Sequence, residues 1–316
     1  MLLGALGQSL PDIDFMAALW SDPAANLLAH RGFTHSVLFG IIATFFLGLL
    51  ADHYHRQHKK GYHIWLWFFG CEIGTHLLLD FFNSYGMGLL EPFSHTRFSF
   101  NALFVVDPFF SIWPFAAFVA LLVLRRSHRQ RRLWWRFGVL ASGLYLLYCT
   151  FNKIRITKEV AHVLAAEQIP HVDFLTTPTP LNNWLWFIAV RDSAGFNIGY
   201  RSVFDREKKI SFHYFPQNKF LLQPVLDHEE VQHLLRFSQG YYTVEKWHDT
   251  LVFNDLRFGQ IIGWYNPNER FAFHYFLQHS DAANRLVVQR GRFARWDRET
   301  IRALLKRIAG KQPERR

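Results

Sequence analysis

Cysteine is nearly absent from this chain, and several familiar catalytic motifs are missing. Only Cys71 and Cys149 occur in 316 residues, and both lie inside apolar runs. This pattern excludes a disulfide framework and a cysteine-based zinc site. The chain also lacks a glycine-rich phosphate loop, a GxSxG nucleophile elbow and any internal repeat. Its first residues do not have the layout of a cleavable signal, so we expect any membrane insertion to depend on the apolar segments themselves.

Acidic residues are fewer than basic ones, and the charge is unevenly spread. The chain has 35 Lys and Arg against 25 Asp and Glu, which gives a net charge of +10. Residues 1–151 contain 11 basic and 8 acidic residues, whereas residues 152–316 contain 24 and 17. A basic protein suits nucleic acid or an anionic membrane. Because the charge-poor half also holds the long apolar runs, we predict a lipid bilayer as partner and expect no nucleic acid.

Four apolar runs in the first half are about long enough to cross a bilayer, which takes roughly 17–25 residues. They are residues 36–51, 64–82, 108–124 and 133–151. The loops 52–62 and 125–132 are strongly basic and share one side if four spans alternate, and the positive-inside rule makes that side cytoplasmic. We therefore predict a multi-pass protein whose residues 1–35, 83–107 and 152–316 lie outside. Buried core helices of a soluble protein are the alternative.

From residue 152 onward, short alternating runs bounded by turn residues predict strands. Asp227 and Glu230 have capping-box spacing before a helical run at 231–237, a second helix at 298–310 ends on a glycine, and TTPTP at 176–180 predicts a rigid lead into the sheet. We predict a helical membrane domain at 1–151, with about four spans and a short N-terminal segment. A small mixed α+β, β-rich extracytoplasmic domain follows at 152–316. Its predicted strands are 184–190, 198–204, 210–215, 241–247, 250–256 and 271–277.

Carboxylates and imidazoles occur close together ahead of the first span. Asp12 and Asp14 follow a proline, and two carboxylates this close repel each other unless a cation or strong donors lie between them. The motif HRGFTHS at 30–36 adds His30 and His35, and imidazole is a common metal ligand. The alternatives are an Asp-rich turn at the end of a helix for the carboxylate pair, and a capped helix start with incidental histidines for HRGFTHS.

A second group of ionisable residues lies in the second apolar run. Glu72, His76 and Asp80 recur every four residues, which puts them on one helix face. Such groups inside a span are functional candidates, since they must face a protein interior or a watery cavity. The predicted topology brings His76 and Asp80 to the same membrane side as the residues ahead of the first span and as the start of the third, with Glu72 deeper in the span. We therefore predict a divalent-metal site. The alternative is a buried polar lock, that is, a set of polar side chains that hydrogen-bond to one another and join the helices. The predicted ligands are Asp12, Asp14, His30, His35, His76, Asp80 and Asp107.

The motifs LPDID, HRGFTHS, HLLLDFFNSYG, LEPFS and VVDP, spread over residues 5–115, together resemble the YdjM-type family of predicted membrane-bound, metal-dependent hydrolases. The resemblance implies a protein of the bacterial inner membrane with a metal site built from these Asp and His positions, and it supplies no substrate. More distantly, HLLLD is similar to the His-xxx-Asp unit of helical zinc-dependent phospholipases C and single-strand nucleases. Family members usually begin with a further helix carrying a Thr-His or Thr-Gln pair, whereas this chain starts at Met1-Leu2-Leu3-Gly4.

From these residues we expect a membrane-embedded metal-dependent hydrolase in which zinc, or alternatively manganese, activates a water at the outer membrane–water interface. Arg31 or Arg97 would stabilise an anionic transition state, and Glu72 would orient His76 or act as a general base. A lipid or other amphiphilic phosphoester is the expected substrate. A divalent-cation transporter or channel, and a nonenzymatic envelope protein with a structural metal site, are the alternatives. No organic cofactor is predicted, and the sequence leaves the oligomeric state open.

Overall fold

The structure is a computed structural model that describes residues 2–19, 21, 23–55, 61–207, 209–277 and 296–311. These residues form two compact units. The first unit comprises residues 2–100 and 224–240, and the second comprises residues 101–223, 241–277 and 296–311. The domain boundary predicted between residues 151 and 152 falls within one continuous helix of the second unit. Residues 56–60 of the predicted basic loop lie outside the described residues.

The first unit is helical, as its long apolar runs predict. Its α-helices are α1 (Leu2–Ser9), α2 (Pro23–Ala29), α3 (Val37–Tyr54), α4 (Tyr62–Phe81) and α7 (Glu229–Ser238), and two 3-10 helices cover Pro11–Leu19 and Phe33–His35. The hydroxyl of Ser36 caps α3 by accepting a hydrogen bond from the Phe39 N–H at 3.0 Å. Helices α3 and α4 pack along each other. Helix α1 lies so close to α4 that a Cβ on Gly7 would meet Phe69 at 2.9 Å.

Within the described residues, α3 and α4 are the helices that are both long and apolar enough to cross a membrane, at 18 and 20 residues. Large apolar side chains of α3 remain exposed, among them Ile41, Phe45 and Phe46. Such a surface suits lipid better than water. Helix α5 (Pro108–Val123) is also apolar but has only 16 residues. Two candidate spans are therefore present, and the count of four stays a prediction.

The second unit joins a helical hairpin to two antiparallel sheets. Helix α5 packs against α6 (Gln130–Ala166), and a Cβ on Gly138 would meet the Ala117 Cβ at 2.6 Å. One sheet has the order β1 (Asp173–Pro178), β2 (Leu185–Arg191), β3 (Gly195–Ser202) and β4 (Phe212–Pro216). The other has the order β5 (Tyr242–Trp247), β6 (Thr250–Gln260) and β7 (Phe271–Leu277). Helix α8 (Arg298–Ile308) closes the described chain.

The core of the second unit forms where the last turns of α6 cover the four-stranded sheet. Ile156 and Val160 of α6 are fully buried together with Trp186 and Ile188 of β2. Helix α8 is held by an ion pair, in which Arg307 donates to both carboxylate oxygens of Asp205, at 2.6 and 2.8 Å. The second half of α6 therefore belongs to the same core as the sheet, which explains why the helix continues to residue 166.

The six predicted strands are confirmed as β2 to β7, and the C-terminal region is β-rich as expected. Strand β1 was not predicted, because TTPTP was interpreted as a lead into the sheet. It lies at the sheet edge, where Pro178 costs no central ladder bond. The capping box predicted from Asp227 is wrong, since the N-cap of α7 is His228 and no side chain caps it. Gly310, with φ +80°, follows α8 as the glycine stop predicts.

Candidate metal centre

Four side chains of the first unit that could hold a metal ion meet at one point. One donor atom from each of Asp12, His35, His76 and Asp80 lies within 4.8 Å of the donor atoms of the other three. His35 is fully buried, the side chains of His76 and Asp80 are nearly so, and that of Asp12 is 50 % exposed. The cluster is therefore enclosed except on the Asp12 side.

The donors come from three separate elements. His76 and Asp80 lie one turn apart on α4, so both face the same direction, with His76 Nε2 3.6 Å from Asp80 Oδ2. Asp12 lies at the start of the 3-10 helix Pro11–Leu19, and His35 ends the 3-10 helix Phe33–His35. The two 3-10 helices pack against each other, and the first also contacts α4. This packing brings residues 68 positions apart in sequence to one point.

The distances between the donors fit a tetrahedral ion. Bonds of about 2.0–2.2 Å to zinc separate its ligands by about 3.3–3.6 Å. The two histidine Nε2 atoms are 3.3 Å apart, and His35 Nε2 lies 3.2 Å from Asp80 Oδ2. Asp12 Oδ1 lies 3.6 Å from both histidine nitrogens. In addition, Asp80 Oδ1 accepts a hydrogen bond from the Asn83 amide, whereas Oδ2 is directed at the two histidines and at Arg31. The residues present therefore fit a divalent metal.

Asp14 lies behind the cluster and orients His35. Its Oδ2 is 3.2 Å from His35 Nδ1 and accepts a hydrogen bond from the Arg31 backbone N–H at 2.7 Å. Burial would raise the pKa of Asp14, but hydrogen bonds from His30, His35 and the Arg31 backbone outweigh it and hold the pKa well below its usual range. A carboxylate on one ring nitrogen leaves the other nitrogen to face a metal, an arrangement common in metalloproteins.

His35 has carboxylates on both sides of its ring. Burial of the imidazole would lower its pKa, but hydrogen bonds with Asp14 and Asp80 outweigh this and raise the pKa. The predicted ligand His30 lies on the far side of Asp14, with His30 Nδ1 3.1 Å from Asp14 Oδ1. Asp14 and His30 are thus brought next to the cluster without forming part of the four-donor group.

The two arginines predicted to be catalytic have different surroundings. Arg31 is buried, its Nε lies 3.0 Å from Asp80 Oδ2, and its guanidinium lies over the Tyr85 ring at 4.9 Å. Arg97 donates to the backbone carbonyls of Leu28, His30 and Gly86 at 2.8–3.1 Å. Arg31 therefore places positive charge at the cluster, whereas the described contacts of Arg97 hold the backbone of the neighbouring loops together.

Two of the predicted site residues, Glu72 and Asp107, make contacts outside the four-donor group. Glu72 lies one turn before His76 on α4 and packs against α1, where the Gln8 amide, turned with its nitrogen toward Glu72, donates to the carboxylate at 3.1 Å. Asp107 belongs to the second unit and caps α5 by accepting from the Phe109 N–H at 2.8 Å. It also accepts from the Tyr145 hydroxyl. The predicted roles of Glu72 and Asp107 stay predictions.

Sequence reasoning did not assign roles to Tyr85 and Tyr145. Tyr85 lies under the Arg31 guanidinium, and its backbone N–H donates to Asn83 Oδ1 at 3.0 Å. The motif NSYG, directly after the HLLLD helix, was the available signal for Tyr85. Tyr145 lies inside an apolar run of α6, and no pattern in the sequence connects it to Asp107.

The first unit thus combines two helices that are long and apolar enough to cross a membrane with a four-donor cluster that is a candidate metal centre. Residues 1–156 match the family described as YdjM inner membrane protein, so this part of the chain belongs to that family. The chain is also 26 % identical over 204 residues to the uncharacterized protein YfhP of Bacillus subtilis. The matched region covers 63 % of this chain and 58 % of that protein. No solved structure matches the chain.

Proposed function

We propose that this chain is a membrane-embedded, metal-dependent hydrolase whose ion is held by Asp12, His35, His76 and Asp80. The observation that carries the proposal is the convergence of these four donors at distances that fit tetrahedral zinc. Two imidazole donors favour zinc over magnesium or calcium, and manganese is the alternative because it accepts carboxylate ligands. A bound ion would act as a Lewis acid and lower the pKa of a water molecule toward neutrality.

The residues around the cluster would orient the ligands and stabilise charge. Asp14 holds Nδ1 of His35, which would leave Nε2 to bind an ion. Arg31, 3.0 Å from Asp80 Oδ2, supplies a fixed positive charge where an anionic transition state would form. Water and substrate would approach on the side of Asp12, whose side chain is half-exposed. Arg97 would act as a positioning residue, because its described hydrogen bonds go to loop carbonyls.

A phosphoester is the substrate class that this charge arrangement favours. Negative charge develops on the nonbridging oxygens during its hydrolysis, and a divalent ion together with an arginine would stabilise that charge. Arg31 is the buried arginine beside the cluster, and its planar guanidinium suits phosphate geometry. A lipid or other amphiphilic phosphoester fits a chain of an inner-membrane family.

We also propose that α5 and the first half of α6 add two spans to α3 and α4, which leaves the C-terminal region outside the cytoplasm. The hairpin of α5 and α6 exposes large apolar side chains on both helices, including Phe115, Leu122, Leu140 and Leu144. Such a surface suits lipid. The loop between the two helices, residues 125–132, is strongly basic and supports a cytoplasmic position for this turn.

The test is the metal content and hydrolytic activity of the detergent-purified full chain. Wild type is compared with Asp12→Ala, His35→Ala and Asp80→Ala, and with Asp52→Asn as a matched control in the last turn of α3. We expect stoichiometric zinc or manganese in wild type and the control, lost in the three variants. Hydrolysis of a panel of lipid and soluble phosphoesters should follow the same pattern and stop with a chelator.

Two outcomes would contradict the proposal in different ways. A metal content unchanged by the three substitutions would refute the metal site and favour a polar lock between helices. Stoichiometric metal without hydrolysis of any phosphoester would refute the enzyme. In that case, uptake of the ion by vesicles that contain the protein would distinguish a transporter from a structural metal site.

A further inference from the structure

The segment that carries two acidic residues of the site is otherwise apolar and exposed. In the 3-10 helix Pro11–Leu19, Phe15 and Leu19 are 68 % and 75 % exposed, and Ile13 and Met16 are also exposed. Asp14 is buried in the same segment, and Asp12 belongs to the donor cluster. The segment therefore buries Asp14, directs the half-exposed Asp12 at the donor cluster and leaves its large apolar side chains outward.

Neighbouring elements continue this apolar surface. Phe33, two residues before the ligand His35, is 43 % exposed. Phe93, which is 84 % exposed, lies on the loop whose Leu89 carbonyl accepts a hydrogen bond from Val37 at the start of α3. We call Ile13, Phe15, Met16, Leu19, Phe33 and Phe93 the interfacial set.

The interfacial set leads directly into the surface of a candidate span. The Phe33 ring contacts that of Phe39 on the first turns of α3, with centroids 5.8 Å apart. Val37 and Ile41 of α3 are exposed beyond it. Residues 1–29 contain no lysine or arginine that would favour solvation of this face in water. Because the chain belongs to an inner-membrane family through this region, lipid is the solvent that the continuous apolar surface fits.

We infer that the interfacial set is embedded in the bilayer at the boundary between headgroups and acyl chains. The donor cluster, carried by the same 3-10 helices, would then lie at headgroup depth, with its half-exposed Asp12 side toward the lipid. The consequence for the substrate, which rests on the proposed function, is that the phosphoester belongs to a lipid that remains in the membrane.

The first experiment measures depth and needs no metal. Cys71 and Cys149 are replaced by alanine, and a single cysteine is introduced by Phe15→Cys or Leu19→Cys for nitroxide labelling in nanodiscs of phosphatidylcholine and phosphatidylglycerol. Collision of the label with oxygen, which concentrates in lipid, is compared with collision with a water-soluble nickel complex. Phe46→Cys on α3 is the lipid control, and Glu229→Cys on α7, whose side chain is 86 % exposed, is the water control.

Labels at Phe15 and Leu19 are expected to resemble the label at Phe46, with high oxygen and low nickel accessibility. Labels that resemble the one at Glu229 would overturn the inference. Both positions are exposed, so labelling leaves the packing of the unit intact.

The second experiment tests the lipid substrate. Phe15→Glu is expected to reduce hydrolysis of phospholipid in vesicles by roughly tenfold or more, since one aromatic side chain leaves the membrane, while metal content stays at the wild-type level. Hydrolysis of a short, soluble phosphodiester should change little. Equal loss on both substrates, or none on the lipid, would overturn the lipid assignment. Absence of all hydrolysis in wild type would instead refute the proposed function and leave the depth result standing.

Discussion

The Asp14→Asn substitution isolates the part that a carboxylate behind the cluster plays in metal binding. Asp14 Oδ2 accepts hydrogen bonds from the Arg31 backbone and the Thr34 hydroxyl and lies 3.2 Å from His35 Nδ1. An asparagine with its oxygen at the Oδ2 position keeps all three contacts, and its NH₂ group faces His30 Nδ1. The substitution therefore removes the negative charge and preserves the packing.

Loss of such an outer carboxylate typically weakens metal binding by about 10–100-fold. This corresponds to about 1.4–2.7 kcal/mol of binding free energy. We expect Asp14→Asn to fall at the lower end, since the orienting hydrogen bonds remain. Asp14→Ala should exceed it and should also lower the melting temperature, because buried donors that lose their acceptor cost about 1–3 kcal/mol each.

The assay is competition for zinc between the detergent-purified full chain and a chromophoric chelator, with cobalt absorption as a measure of ligand geometry. Wild type and Asp52→Asn should bind alike. Binding by Asp14→Asn within about twofold of wild type would refute a contribution of the Asp14 negative charge to metal binding. A loss of metal binding as complete as that of His35→Ala would instead indicate that Asp14 is a direct ligand.

Three further predictions follow from other parts of the molecule. Arg307→Ala leaves Asp205 buried without its bidentate partner and should destabilise the second unit by about 3–5 kcal/mol. Chemical unfolding followed through tryptophan fluorescence measures this change, and a loss of stability below about 1 kcal/mol would contradict burial of the pair. Gly138→Val should separate α5 from α6, because a Cβ there would meet Ala117 at 2.6 Å, and the spin-label distance between the two helices should increase. Chelator treatment should lower the melting temperature of wild type but not of Asp80→Ala, since an ion at 100 times its Kd stabilises the fold by about 2.7 kcal/mol.

The sequence was sufficient to place two members of the cluster on one helix face. The four-residue spacing of His76 and Asp80 predicted that they face one point, and the structure brings Asp12 and His35 to that point. The sequence could not separate the roles of Asp12 and Asp14. They lie on a 3-10 helix, which has three residues per turn, so side chains two positions apart point in different directions. No pattern in the sequence distinguished this helix from a turn.

Long-range pairing was also beyond the sequence. Helix α7 follows four strands of the second unit in the chain but belongs to the first unit, where it packs against α2. Its Phe237 ring lies under the Arg97 guanidinium at 5.5 Å. The buried positions Val231, Leu234 and Phe237 show a helix face that needs a partner, but many apolar surfaces of this chain would satisfy that need equally well.

A polar lock between helices and a metal site use the same residue types, and the direction of each donor separates them. In a lock, every donor faces an acceptor. Here the outer atoms are satisfied, with His35 Nδ1 against Asp14 and Asp80 Oδ1 accepting from Asn83. The inner atoms face one another instead: the two histidine Nε2 atoms lie 3.3 Å apart, where one N–H satisfies a single pair, and Asp80 Oδ2 lies 3.2 Å from His35 Nε2 as well as 3.0 Å from Arg31 Nε. Two imidazole nitrogens and two carboxylate oxygens directed at one point are better satisfied by one divalent ion than by each other.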